Sequence, residues 1–385
     1  MVYAGAAARG PRARVEAFVQ ALLTELTLRA DEADAAFGPP GTATRPPLET
    51  LYLGGGTPTL LPTASIAAIV ERVRGRFGLA GGAEVTIEAN PGPDERGDAA
   101  ALVAAGVTRV SLGAQSFDPA LLRRLGRRHR PGDVADAVAE AQAARASVSV
   151  DLLYDVPGQS MDDWAATLDA AIELGVDHVS AYALTLDDPD AEGITGLLGD
   201  HLPTTSGARR WREAAVRDQD DDRAATQYAL AVERLGAAGY RGSEISNWGR
   251  PGRESRHNLV YWQRRSYEAV GPGGHAFDGA MRRWNAARLD GYLRALSPTD
   301  GASPTLPPGG SEGVDTDAAA AEAVILALRL DTGLETVDAA HGPLALHRDW
   351  ALDAGLLEPF DAGGPRLRLT TRGRLLSNEL FARLV

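Results

Sequence analysis

At 385 residues the chain is long enough for one large domain and a smaller one, and its 44% apolar content with 43 Gly and 23 Pro is that of a globular protein. A net charge of −13 argues against a nucleic-acid partner, which would need surplus Lys and Arg, and the absence of any Cys excludes disulfides, Cys-held zinc and thiolate-held iron-sulfur clusters for the chain as written. No apolar run reaches the ~20 residues of a membrane span and the N-terminus lacks a basic-then-apolar leader, so a cytoplasmic protein is expected.

Residues 1–10 are small and featureless, and then Val15, Phe18, Val19, Leu22, Leu23 and Leu26 recur at helical spacing, predicting a helix from Pro11 to about Phe37. After a Gly/Pro loop over 38–47, an apolar strand runs through Leu51-Tyr52-Leu53 into Gly54-Gly55-Gly56-Thr57-Pro58-Thr59. Three glycines without Cβ atoms let a ligand approach the backbone, so the loop reads as a cradle, with a tight structural turn as the alternative. Neither nucleotide fingerprint fits its spacing. Thr63 or Ser65 is placed to cap the next helix, whose apolar stripe is Ile66, Ile69, Val70, Val73 and Phe77.

Further strands are predicted over Glu84–Asn90, Arg109–Phe117, Ser147–Tyr154 and His178–Leu186, with helical stretches between them, including one from Met161 to Leu174. Repeated strand-helix alternation is the pattern of a parallel α/β fold with right-handed crossovers. Inside three of these strands one face is apolar and the other polar or tiny: Val85, Ile87 and Ala89 against Thr86, Glu88 and Asn90; Val110, Leu112 and Ala114 against Ser111, Gly113 and Gln115; Val148, Val150 and Leu152 against Ser147, Ser149 and Asp151. A parallel strand covered on both faces would be apolar on both. The preferred reading is a curved, barrel-like sheet enclosing a ligand-filled lumen, with a solvated sheet face as the alternative. Glu88, Gln115 and Asp151 sit late in their strands, where sites on parallel sheets collect, and Arg127 comes next in Leu125-Gly126-Arg127-Arg128-His129.

Beyond Asp190 the acidic run Asp218–Asp222 reads as a solvated start to a helix carrying Tyr228, Leu230, Val232 and Leu235. In Ser255-Arg256-His257-Asn258-Leu259-Val260-Tyr261-Trp262, His257 and Tyr261 share a face if the segment is helical. An imidazole beside aromatic rings suits a flat macrocycle, and equally suits plain packing. Gly271-Pro272-Gly273-Gly274 is a second backbone-rich loop, and residues 301–314 read as a linker. A helix over Ala323–Leu330, another near Leu344–Ala354 and a strand pair, Leu356–Pro359 with Arg366–Thr370, then suggest a winged-helix-like α+β module. The expected divisions are 1–190, 191–300 and 301–385.

Taken together, the Gly54–Thr59 loop, Ile87–Pro91, Ser111–Phe117, Leu125–His129, Asp151–Gln159 and Tyr240–Trp262 resemble, in order and spacing, the radical S-adenosylmethionine proteins of the anaerobic coproporphyrinogen oxidase family. His257-Asn258-Leu259-Val260-Tyr261-Trp262 is similar to the H-N-x-x-Y-W signature of the HemW haem chaperones. The resemblance implies an open, partial six-stranded β/α barrel lacking its first strand. It also implies that Gly55, Gly56 and Thr57 meet the amino-acid end of S-adenosylmethionine, Glu88 its sugar or amino group, and Gln115, Arg127 and Asp151 its ribose and carboxylate. Thr185 and Phe277 match weaker contact positions, and His257 with Tyr261 becomes the haem-contact pair.

The family's [4Fe-4S] cluster is held by a C-x-x-x-C-x-x-C motif after the first barrel strand, and this chain has no Cys, so radical chemistry is not expected of it. Met1–Gly5 resembles the segment just after that loop in relatives, which makes a misassigned start codon the expectation. Were the start real, the glycine-ended strand would keep an unpaired edge. Three functions compete: a haem chaperone serving haem-acceptor proteins, with room for peripheral membrane association; an oxygen-independent coproporphyrinogen III oxidase; and a cluster-less binding protein. Oligomeric state is not legible.

Overall fold

The structure, a computed structural model, describes residues 2–5, 12–186, 188–298, 301–361 and 364–385. Strands and helices alternate through β1 (Val2–Gly5), α1 (Arg12–Phe37), β2 (Leu48–Gly56), α2 (Thr63–Phe77), β3 (Leu79–Ala89), α3 (Ala99–Ala104), β4 (Arg109–Gln115), α4 (Pro119–Arg124), α5 (Pro131–Ala143), β5 (Ser147–Tyr154), α6 (Met161–Glu173) and β6 (His178–Ala183). Strands β1 to β6 pair in chain order and all in parallel. The chain continues through α7 (Ser206–Val216), α8 (Asp221–Ala237), β7 (Arg241–Glu244), β8 (Asn247–Gly249) and α9 (Arg256–Trp262). Strand β8 adds antiparallel to β6, with β7 outside it.

The local chemistry accounts for these elements. The stripe Ile66, Ile69, Val70, Val73 and Phe77 of α2 is wholly buried. Helix α6 opens on a reciprocal cap in which Asp163 N donates to Ser160 Oγ and Ser160 N to the Asp163 carboxylate. Asp220 caps α8, as the acidic run suggested. The expected cap on α2 is corrected: Pro62 occupies that position and no side chain bonds the helix start, because Thr63 already lies inside it. The predicted helix start at Pro11 lies outside the described residues. The strand β1 pairs Val2 with Leu53 and Gly5 with Gly56, so the glycine end of β2 is covered and lacks the unpaired edge expected were the start real.

The apolar rows of β3, β4 and β5 face outward beneath the helices and are buried to a residue: Val85, Ile87, Ala89, Val110, Leu112, Ala114, Val148, Val150 and Leu152. Their polar rows face a shared hollow lined by Tyr52 of β2, Thr86 and Glu88 of β3, Ser111 of β4, Asp151 of β5 and Tyr182 of β6. In a flat sheet β2 and β6 would stand four interstrand spacings, ~19 Å, apart. For side chains of both to bound one cavity of about 240 Å³ the sheet must curl. The fold is therefore an open, partial β/α barrel with a hydrophilic lumen.

Downstream, β9 (His275–Phe277), β10 (Met281–Asn285), α10 (Leu289–Leu296) and β11 (Gly309–Gly313) form a small antiparallel sheet with one flanking helix. The linker expected over 301–314 is thereby corrected in part, since Gly309–Gly313 pairs along β10. The last elements are α11 (Thr316–Arg329), β12 (Leu334–Glu335), α12 (Thr336–His341), α13 (Arg348–Asp353), β13 (Leu357–Asp361), β14 (Pro365–Leu369), α14 (Thr371–Leu375) and α15 (Ser377–Phe381). They build a winged-helix-like module with its own core, from Ala321 to Leu384, and a β12-β14-β13 sheet. The Arg329 guanidinium, 4.4 Å over the Trp262 ring and 3.4 Å from Glu244, ties that module to the barrel.

Helix α1 is clasped to the barrel extension by one buried acid. Glu25 accepts from Gly271 N at 2.8 Å, Asn285 Nδ2 at 2.7 Å and Tyr292 OH at 2.6 Å, with Arg29 at 3.6 Å. Removing that carboxylate takes the acceptor from Gly271 N and Tyr292 OH and one of two carboxylate partners from Arg29. Glu25→Ala is expected to destabilise the chain by about 3–5 kcal/mol, and Tyr292→Phe by about 1–3 kcal/mol, read as shifts in urea unfolding midpoint. An Ala variant as stable as the parent would refute the clasp.

Candidate functional site

The glycine loop is shaped by close approach. A Cβ on Gly54 would lie 2.6 Å from Tyr52 Cε1 and 2.8 Å from Glu88 Oε1, so only glycine lets these side chains cross the strand end. Gly55 and Gly56 take φ of 77° and 132°, which L side chains resist. This twist aims Gly55 N at Glu88 Oε2, 3.0 Å away, while Tyr52 OH donates to Glu88 Oε1 at 2.9 Å.

Glu88 and Asp151 share the lumen. Burial raises the Glu88 pKa to about 7; the Tyr52 and glycine-loop donors pull it down and the nearby Asp151 charge pushes it up. Burial likewise raises Asp151, opposed by hydroxyl contacts from Ser180 and Ser111 and by the charges of Arg109 and Arg127. Ser111 Oγ lies 3.3 Å from the nearer Asp151 oxygen. Two carboxyls driven toward the neutral form in one cavity favour a cationic ligand, whose charge would return both to the ionised state.

At the mouth a second chain of contacts forms a rim. Asn90 Nδ2 donates to Thr57 Oγ1 at 3.0 Å, and Arg127 Nη1 donates to Asn90 Oδ1 at 3.1 Å. Gln115, at φ 64°, breaks the register between β4 and β5 and lays its side chain over Gly113, where a Cβ would come 2.8 Å from Gln115 Nε2. Arg145, Asp155 and Arg264 share this left-handed backbone, but of the four only Gln115 lies within a barrel strand, at its carboxyl end. Asn90 and Arg127 line a cavity of their own with Glu95 and His129, while the Arg127 charge is felt at Asp151.

His257 lies deeper, against the amino-terminal half of β2 on the face that carries Tyr52. Helix α9 is pinned by Glu84, which accepts from His257 N at 3.0 Å and Arg256 N at 3.3 Å, and by its cap Ser255, which accepts from Asn258 N. The imidazole is buried and engaged at both nitrogens: Nδ1 is 2.8 Å from Thr50 Oγ1 and Nε2 is 2.8 Å from Tyr261 OH. Burial lowers its pKa to about 3, so the ring is neutral. It stacks on Tyr52 at 5.1 Å, and Tyr52 touches Glu88, so His257 and the glycine loop are joined through one phenol. His257 also borders a mostly apolar cavity of about 220 Å³ with Leu48, Leu51, Val260, Tyr267 and Val270.

The structure therefore brings Gly55, Gly56, Glu88 and Asp151 together, sets Thr57, Gln115 and Arg127 on the rim, and leaves Thr185 exposed just past β6, bonded to Ala183 O. Phe277 is not brought to the lumen. It is packed under Arg264 at 4.8 Å and beside Tyr267 at 6.2 Å. Sequence reasoning passed over Tyr52, Arg109, His178, Ser180 and Tyr182 as lumen residues. The last three alternate with Val179, Ala181 and Ala183, the same signal used for the other strands. Among the described residues no group of three or more His, Asp or Glu could hold a metal ion, and no helix is long and apolar enough to cross a membrane.

Residues 41–171 match the Radical SAM superfamily model. The chain is 41% identical to the heme chaperone HemW of Mycobacterium tuberculosis over 95% of this chain and 85% of that protein. It is 27% identical to the heme chaperone HemW of Bacillus subtilis over 88% of this chain and 85% of that protein. The solved coproporphyrinogen III oxidase (HemN) of Escherichia coli, described as a radical SAM enzyme, superposes with a TM-score of 0.74 at 21% identity, covering 96% of this chain and 83% of that one, which establishes a shared fold. By sequence similarity over nearly its full length, this chain belongs to the HemW family of radical S-adenosylmethionine proteins.

Proposed function

We propose that the protein binds haem and S-adenosylmethionine and hands haem to acceptor proteins, in the manner its HemW relatives' name describes. The observation that carries the reading is the His257–Tyr52–Glu88 contact chain, which couples the haem-contact candidate to the adenosyl-contact candidate within one stacked ring and one hydrogen bond. His257 is neutral, the protonation state that iron ligation requires. Ligation through Nε2 would require Tyr261 to release it.

S-adenosylmethionine fits the lumen chemically. Its ammonium and sulfonium charges suit Glu88 and Asp151, the bare backbone of Gly55 and Gly56 gives room for its amino-acid end, and Gln115 and Arg127 on the rim supply polar groups for its ribose and carboxylate. When bound it would supply an adenosyl group and a sulfonium. A [4Fe-4S] cluster does not fit the residues present, because none offers a thiolate. No reductive step is assigned to this chain, and nothing specific favours the oxidase reading. Peripheral membrane association would draw on α7, where Trp211 is exposed among Arg209, Arg210 and Arg212.

Two measurements test this. Haem titrated into the full chain is expected to shift its Soret band, with affinity reduced about tenfold or more in His257→Ala and raised in Tyr261→Phe, which removes the competing hydroxyl but keeps the ring. An unchanged spectrum on adding haem would end the chaperone reading. S-adenosylmethionine retention by equilibrium dialysis is expected to rise from pH 6 to 8, since Glu88 gains its charge as pH passes about 7 and a cation binds the ionised form. Glu88→Gln should flatten that profile and weaken retention at pH 8 about tenfold. A pH-independent parent would remove Glu88 from the site.

A further inference from the structure

The foot of the barrel, opposite the glycine loop, carries a cavity that neither the adenosyl nor the haem reading uses. Strand β2 breaks register with β3 between Leu48 and Thr50. There the last turns of α2, the middle of α1 and the 265–270 connection after α9 meet around a space of about 220 Å³. Leu26 of α1, Leu51 of β2, Val73 and Phe77 of α2, Val260 of α9 and Val270 form its inner wall, each at most 7% exposed. Glu49, Arg265 and Ser266 are exposed and frame the entrance.

The wall selects against charge. Glu49 and Arg265 neutralise each other at 2.9 Å, and Glu268, the other acid on the wall, is paired with Arg283. Thr50 Oγ1 is 2.8 Å from His257 Nδ1, so both are already engaged. His257 Nε2 turns to Tyr261, which is not part of this wall, so the cavity meets no free imidazole nitrogen and is separate from the position where iron would be ligated. A charged molecule entering would give up water without replacement, whereas an apolar one would restore the dispersion contacts that the walls of a void lack. Volume sets the size. An apolar cavity of about 150 Å³ takes benzene, and pockets for drug-sized ligands begin at about 300 Å³. A space between the two suits one substituted ring or a short branched chain and excludes a tetrapyrrole.

We propose that this cavity binds a small neutral apolar molecule, an alkylated single ring or its aliphatic equivalent. Because Val260 and His257 both belong to the wall, the occupant packs directly against the helix that carries the His257–Tyr261 pair. The site does not rest on the haem reading.

The test uses the full chain with toluene as probe and benzoate as its charged counterpart, each followed by ligand proton line broadening at constant ionic strength. Saturable toluene binding is expected, with benzoate about tenfold weaker, and toluene should raise the thermal unfolding midpoint as its concentration grows. Val260→Phe, which fills the space from its inner wall, should weaken toluene binding about tenfold. Glu49→Gln, at an exposed position, leaves Arg265 unpaired and should bring benzoate within about threefold of toluene, a gain that misfolding could not mimic. Toluene that fails to saturate the parent, or that binds Val260→Phe as tightly as the parent, overturns the proposal. So does benzoate that matches toluene on the parent. Toluene binding by a chain that leaves the haem spectrum unchanged would defeat the chaperone reading and leave this site standing.

Discussion

The geometry of both candidate regions depends on how the Glu84 carboxylate is placed at the foot of β3. It accepts two backbone N–H groups at the start of α9 and stands 3.6 Å from Arg109, so one buried anion answers a helix end and a guanidinium together. A seven-residue helix could not hold its position by its own hydrogen bonds. Fixed here, α9 closes one side of the lumen with Ser255 and Asn258 and presses His257 onto Tyr52. Without Glu84 the imidazole would lose its stacking partner and the guanidinium its nearest counter-charge.

A closed eight-stranded barrel fills its interior with branched apolar side chains. This sheet stays open, and the positions that would fill such an interior are hydroxyls, carboxyls, an imidazole and a guanidinium. Such a lumen stabilises the fold poorly, since every group there gives up water and several receive only partial replacement. The stability must come from outside the sheet, where the outward rows pack under α2, α5 and α6 with Ile66, Val138 and Trp164 fully or almost fully buried. Buried apolar side chains of this size each contribute about 1.5–3 kcal/mol. The division leaves the interior available for ligands.

Much of this was legible in the sequence, for reasons tied to particular rows. The alternation Thr86-Ile87-Glu88 and Ser149-Val150-Asp151 has period two, so side-chain geometry alone dictates a polar inner face without knowledge of the fold. The glycines announce themselves, because no other residue tolerates the φ of Gly55 and Gly56 at so little cost. What stayed hidden depends on contacts distant in sequence. The seating of α9 requires Glu84, more than 170 positions earlier, to meet His257. Likewise β11 looks like linker because Gly309, Gly310 and Gly313 carry no strand pattern; it pairs because a Cβ on Gly309 or Gly310 would collide with Trp284 on β10. Phe277 matched a family position, yet its ring belongs to the Tyr261–Tyr267 stack.

The phenol of Tyr52 is where the two regions meet, and its chemistry limits what can pass between them. Burial and then the Glu88 charge hold its pKa far above the ordinary value, so it remains a hydrogen donor and never an anion. Its donation to Glu88 Oε1 stabilises the carboxylate form, while Gly55 N stabilises the other oxygen. A cation entering the lumen would fix Glu88 as the carboxylate and tighten the phenol against it. Because the imidazole of His257 lies 5.1 Å away on the phenol's face, any shift of that ring is felt by His257 before it reaches Tyr261. Tyr52 thus touches both regions at once, Glu88 through its hydroxyl and His257 through its ring face, and it does so without carrying a charge.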